Sequence, residues 1–133
     1  MELSKKLLVG VWSLEEFIVH RESGELFNWP GKQSGTLIYT DNGFVSVAQN
    51  RAPLPNPTQE DKNRVSNFYT GTYELDLPNN QVFHTGLQSS VPSVIGERMQ
   101  RSLTLLPDGR LQIFGKGLRE NVTLIWSKVT TDK

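Results

Sequence analysis

The sequence predicts an all-β fold: an eight-stranded antiparallel up-and-down barrel with one short helix. Three observations carry this. Only two alanines occur, Ala48 and Ala52, and helical chains rarely avoid the best helix former so thoroughly. Val, Ile, Thr and aromatic residues recur in short runs between turn signals, the pattern of barrels and sandwiches. Nearly every connection is short enough for consecutive runs to pair as neighbours, which favours a barrel over a sandwich with Greek-key crossings.

The elements follow in order. Val11 to Val19 is a long first strand, and a Gly- and Pro-containing loop runs from Arg21 to Ser34. Gly35 to Thr40 and Phe44 to Gln49 flank Asp41-Asn42-Gly43, where Asn and Gly tolerate the positive φ of a tight turn. After the proline-rich stretch Arg51 to Pro57 comes the one expected helix, Gln59 to Tyr69. Thr58 can cap it, Asp61 stands in a capping-box-like position, and Val65, Phe68 and Tyr69 give it an apolar side. Gly71 to Leu75 and Gln81 to Leu87 flank Pro78-Asn79-Asn80. Arg98 to Leu106 and Arg110 to Gly115 flank Pro107-Asp108-Gly109, and Val122 to Val129 is the last strand. Eight strands, one lid loop and one helix consume the 133 residues, so a single domain spanning 1–133 is expected.

Composition excludes several function classes. Fourteen Lys and Arg balance fourteen Asp and Glu, so the chain lacks the basic surplus that a nucleic-acid binder uses against phosphates, and nothing draws it to anionic membranes. Without cysteine there is no disulfide, thiol nucleophile or thiolate metal site. The apolar run Leu7 to Trp12 is too short for a signal segment or a membrane span. A soluble, full-length, cytoplasmic protein is expected. Two distant histidines, His20 and His84, make a poor metal site, and no metal or cofactor is expected. The chain contains no Gly-x-Ser-x-Gly, phosphate loop, dinucleotide fingerprint or His-Glu-x-x-His.

Gly10-Val11-Trp12 at the head of the first strand resembles the lipocalin Gly-x-Trp signature, whose tryptophan plugs one barrel end. Further segments resemble the bacterial and fungal lipocalin-like domain family of the calycin superfamily. They are Gly35-Thr36-Leu37-Ile38-Tyr39-Thr40-Asp41-Asn42-Gly43, Tyr69-Thr70-Gly71-Thr72-Tyr73-Glu74, Val82-Phe83-His84 with Pro92, Gly96 and Arg101, and Leu124-Ile125-Trp126-Ser127-Lys128. The resemblance covers nearly the whole chain and implies a short barrel with an internal cavity. Fatty-acid-binding proteins are similar in length but place two helices after the first strand, where this chain has only its loop. In lipocalins a basic residue packs over the signature tryptophan; Lys128 is the nearest equivalent here, with Arg119 second.

Strands alternate faces with period two. If Trp12 points inward, Leu14, Glu16 and Ile18 do too, and Ser13, Glu15 and Phe17 point out. Met99, Arg101, Leu103 and Leu105 share one face, as do Val82, His84 and Gly86. An interior Glu16 or Arg101 would need a partner or a ligand, because a buried lone charge is costly. The alternative is a barrel-mouth position for Glu16 and a surface ion pair for Arg101. His84 is the acid–base candidate, since imidazole titrates near neutrality, or else a hydrogen-bonded core residue. His20 is expected at the surface. Tyr39 and Tyr73 are either ligand hydrogen-bonders or packing residues, and Phe44, Tyr69 and Phe83 divide between cavity wall and exterior. Leu26, Phe27 and Trp29 fall in the long loop, as a cavity lid or a homodimer contact.

The expected function is binding of a small, largely apolar molecule with one polar end, held by Arg101, His84, Glu16, Tyr39, Tyr73 and Trp29. The alternative is a cyclase or isomerase of a secondary-metabolite pathway working in the same cavity, with His84, Arg101 and Glu16 as its catalytic groups. A third reading is a barrel filled by its own side chains.

Overall fold

The computed structural model describes residues 2–51, 66–116 and 121–130. Nine strands lie among them: β1 (Gly10–His20), β2 (Leu26–Asn28), β3 (Ser34–Tyr39), β4 (Phe44–Asn50), β5 (Ser66–Asp76), β6 (Gln81–Ser89), β7 (Arg98–Leu105), β8 (Leu111–Lys116) and β9 (Asn121–Lys128). A four-residue helix, α1 (Lys5–Leu8), precedes them. Each strand from β3 to β9 pairs antiparallel with the next, and β1 pairs with both β3 and β9, which closes an eight-stranded barrel. The ninth strand, β2, comes from the long first loop and among the described residues pairs with the end of β1, with Ile18 opposite Asn28 and His20 opposite Leu26.

The turns obey their sequence signals. Gly43 and Gly109 take φ of +93° and +88° at the two Gly-ending hairpins, and Asn80 takes the left-handed conformation after Pro78-Asn79.

The expected helix from Gln59 to Tyr69 is corrected where it can be seen: Ser66 to Tyr69 begin β5, with Tyr69 opposite Val47 and Phe68 opposite Ala48. Alternation wins over helical spacing here, because Tyr69, Gly71 and Tyr73 are buried while Phe68, Thr70 and Thr72 are exposed. Thr58, Asp61 and Val65 lie outside the described residues, as does Arg119.

A second correction concerns β1. Its pairing with β9 slips between Leu14 and Glu16, so Glu15 is the extra residue of a β-bulge. Trp12 and Leu14 face inward as expected. Beyond the bulge the faces exchange: Phe17 and Val19 are buried, and Glu16 turns outward. Its carboxylate, 37% exposed, lies 3.2 Å from Arg110 Nη1.

The β5–β6 pairing carries a further irregularity: Thr70 and Gly71 pair with Gln88 and Gly86, so Leu87 of β6 is the extra residue. A Cβ at Gly71 would stand 1.8 Å from the Thr85 carbonyl oxygen. Backbone cannot yield as a flexible side chain would, so Gly71→Ala should cost about 1–3 kcal/mol or more in urea unfolding. An unchanged midpoint would contradict this close approach.

The main core gathers inward residues of every barrel strand, among them Trp12, Leu37, Val45, Tyr73, Val82, Leu103, Leu111 and Trp126. A smaller cluster, Phe17, Val19 and Trp29 with Phe27 and Val122 packed on it, lies toward the opposite end. No described helix is long and apolar enough to cross a membrane.

Candidate functional site

One end of the barrel is sealed by its own chain. The Ser4 hydroxyl accepts from the Leu7 N–H and starts α1, which places Leu8 fully buried over the opening. The Trp12 indole N–H donates to the Leu8 carbonyl at 2.9 Å. Lys128 covers the indole, with Nζ 4.9 Å from the ring centroid, and donates to the Leu7 and Val9 carbonyls. Burial holds its ammonium below the ordinary lysine range. The expected Lys128 cover over the signature tryptophan is therefore in place.

The interior holds a polar cluster. His84, on β6, is 2% exposed. Its Nε2 lies 2.7 Å from the Tyr39 hydroxyl and its Nδ1 2.7 Å from the Tyr69 hydroxyl. Tyr39 comes from the end of β3 and Tyr69 from the start of β5, so the imidazole bridges phenols from the two strands that flank β4. The Tyr73 ring packs edge-on against Tyr39 at 4.8 Å, but its hydroxyl donates to the Thr40 carbonyl and leaves the cluster.

Arg101 joins from β7. It pairs with Gly115 of β8, and its stem lies where a Gly115 side chain would be: a Cβ there would meet Arg101 Cδ at 2.9 Å. Glycine makes the room that lets a guanidinium turn inward. Its described partners are the Gln100 carbonyl, the Met99 sulfur and the Tyr69 hydroxyl. No carboxylate pairs with it among the described residues.

Burial and this charge set the protonation states. Desolvation, aided by Arg101, lowers the His84 pKa to about 3, so the imidazole is neutral at neutral pH. Burial raises the Tyr39 and Tyr69 phenols, and the Arg101 charge acts against the rise at both. Burial also raises Tyr73, with Asp41 adding to it. A neutral imidazole with both nitrogens held by phenols orients those phenols; it does not stand free to exchange protons with a substrate. The cyclase or isomerase alternative has to be set against this geometry.

The structure thus brings together Arg101, His84 and Tyr39, stacks Tyr73 beside them and leaves Glu16 outside. Trp29 is buried in the second cluster, 5.8 Å from Phe17 and 5.7 Å from Phe27, with the Arg51 guanidinium over Phe17 and Trp29. It packs where the lid was expected. His20 sits on the outer face against Phe114 and Thr123.

Sequence reasoning missed Tyr69 as a site residue, having assigned it to a helix. It also missed Gln49, an inward residue of β4 only 5% exposed, whose side-chain N–H2 has no partner among the described residues. Alternation along Val45-Ser46-Val47-Ala48-Gln49 carries that signal. A separate groove of about 320 Å³ lies on the outer side, lined by Ile38, Phe44, Thr70 and Leu87 among others.

A family model described as a lipocalin-like domain matches residues 9–129. No curated protein matches the chain. A solved structure described as a redesigned beta barrel is similar over 98% of each chain, with 14% identity and a TM-score of 0.50. This likeness concerns the fold alone.

Proposed function

Because the chain belongs to the lipocalin-like domain family, we propose that it holds a small, largely apolar molecule in the barrel, with the ligand's polar end on Arg101. The observation that carries this reading is the inward guanidinium, seated over Gly115 beside two buried phenols and facing no described carboxylate. Arg101 is half-buried, and its bond to the Gln100 carbonyl lies at solvent, so an entering ligand acceptor can replace water on the guanidinium.

The ligand enters from the end opposite Trp12. Trp12, Leu37, Tyr39, Val82 and Leu111 are sealed, whereas Met99, Arg101, Val122 and Leu124 keep partial exposure. Trp29 and Phe27 then form the apolar rim. Burying roughly 200 Å² of apolar ligand surface contributes about 5 kcal/mol before ordering costs, and one charge-assisted hydrogen bond adds orientation.

The test is fluorescence titration with anilinonaphthalene sulfonate, an apolar probe with an acidic head. Arg101→Met keeps the stem and removes the charge. It should weaken binding about 10- to 100-fold while near-ultraviolet circular dichroism stays unchanged. Equal affinity for both proteins would overturn the assignment of Arg101.

A further inference from the structure

Counting protons in the polar cluster narrows the ligand class. Neutral His84 has one N–H and one bare nitrogen, and Tyr39 and Tyr69 each bring one O–H. That is three protons for two contacts, one at each imidazole nitrogen. Whichever tautomer is present, one phenol O–H is left without an acceptor inside the cluster. Protonating the imidazole would leave two. Arg101 stands beside Tyr69 and only donates. The Tyr69 oxygen facing it therefore accepts and turns its own proton to His84 Nδ1. Nε2–H then donates to Tyr39, and the Tyr39 O–H is the one left over.

The surroundings add further donors. The Arg101 charge acts on both phenols. Gln49, two residues along the inward face from Val47 opposite Tyr69, has its N–H2 group unpartnered and buried. A buried donor without an acceptor costs about 1–3 kcal/mol.

We propose that the polar end of the ligand is an acceptor-only anion, a carboxylate or phenolate, received jointly by the Arg101 guanidinium and the phenol O–H left over by the Tyr39–His84–Tyr69 bridge. This rests on the binding reading above and deepens it. Amines and ammonium heads are excluded, because they bring donors to a site that already has too many. Plain alcohols are disfavoured, because they bring no charge.

The test is calorimetric titration of the whole protein with octanoate, octanol and octylamine, which share one tail length. Octanoate should bind at least tenfold more tightly than octanol, and octylamine more weakly than either. Tyr39→Phe, which deletes the left-over donor, should reduce the octanoate-to-octanol ratio severalfold. Tyr69→Phe provides a second variant should the first fail to fold. Equal affinities for the three probes would overturn the anion assignment and leave apolar binding standing. An unchanged ratio in a folded Tyr39→Phe would overturn the role of the phenol. Binding of none of the three would overturn the binding reading and this inference with it.

Discussion

Trp12→Ala should lower the unfolding free energy by about 3–5 kcal/mol, the cost of emptying a large aromatic site in a packed core. Trp12 is fully buried and does three things at once. It fills the sealed end of the barrel, ties α1 to β1 through the bond to the Leu8 carbonyl, and receives the Lys128 ammonium on its face. Removing the ring strips Lys128 of its cover and Leu8 of a hydrogen bond together. For a domain with total stability of about 5–15 kcal/mol this is a large share, and thermal unfolding should fall by roughly 10–20 °C. A loss below about 1 kcal/mol would show that the sealed end owes its stability to other contacts.

Acid should destabilise the protein through His84, and the direction follows from its lowered pKa. The folded value is about 3 against an ordinary 6.5, so between these limits the unfolded chain binds a proton that the folded one does not. The contribution is fully present above about pH 6.5 and is lost as the pH falls toward 3, at about 1.4 kcal/mol per unit and about 5 kcal/mol in all. Carboxylates titrate in the lower part of the same range, so the informative quantity is the difference between two proteins. In urea unfolding from pH 7 to pH 4, His84→Gln should show a shallower slope than the natural chain, even though it starts less stable. Parallel slopes would mean that His84 takes up its proton as readily folded as unfolded.

The barrel was legible because its devices are local. Asp41-Asn42-Gly43 and Pro107-Asp108-Gly109 mark hairpins, and alternation assigns inward faces to Leu37 and Tyr39, Val45 and Val47, Val82 and His84, and Leu103. The inward placement of Arg101 and His84 followed from the same period. Glu16 was misplaced because one inserted residue shifts every later residue to the other face. The apolar spacing Trp12, Leu14, Phe17, Val19, which steps two, three, two, carries the bulge. Tyr69 was misplaced because Thr58 and Asp61 resemble a helix start, while Tyr69 belongs to a strand that pairs with β4 and β6. Long-range pairing overrode a local cue there. The four-residue α1 escaped because so short a helix has almost no periodicity; its trace is the capping Ser4. The His84 bridge could not be read from spacing at all, since its partners lie 45 and 15 residues away. The consecutive pairing of β3, β4, β5 and β6 brings them together.

On the proposed reading an acidic ligand sits inside the barrel on Arg101 and the phenol–imidazole bridge, and not in the groove on its outer face. Nuclear magnetic resonance of the isotope-labelled protein titrated with octanoate tests this most directly. The account predicts that shift changes converge on Tyr69, His84, Met99 and Arg101, residues of the interior. Changes converging instead on Ile38, Phe44 and Leu87, which line the outer groove, would contradict it.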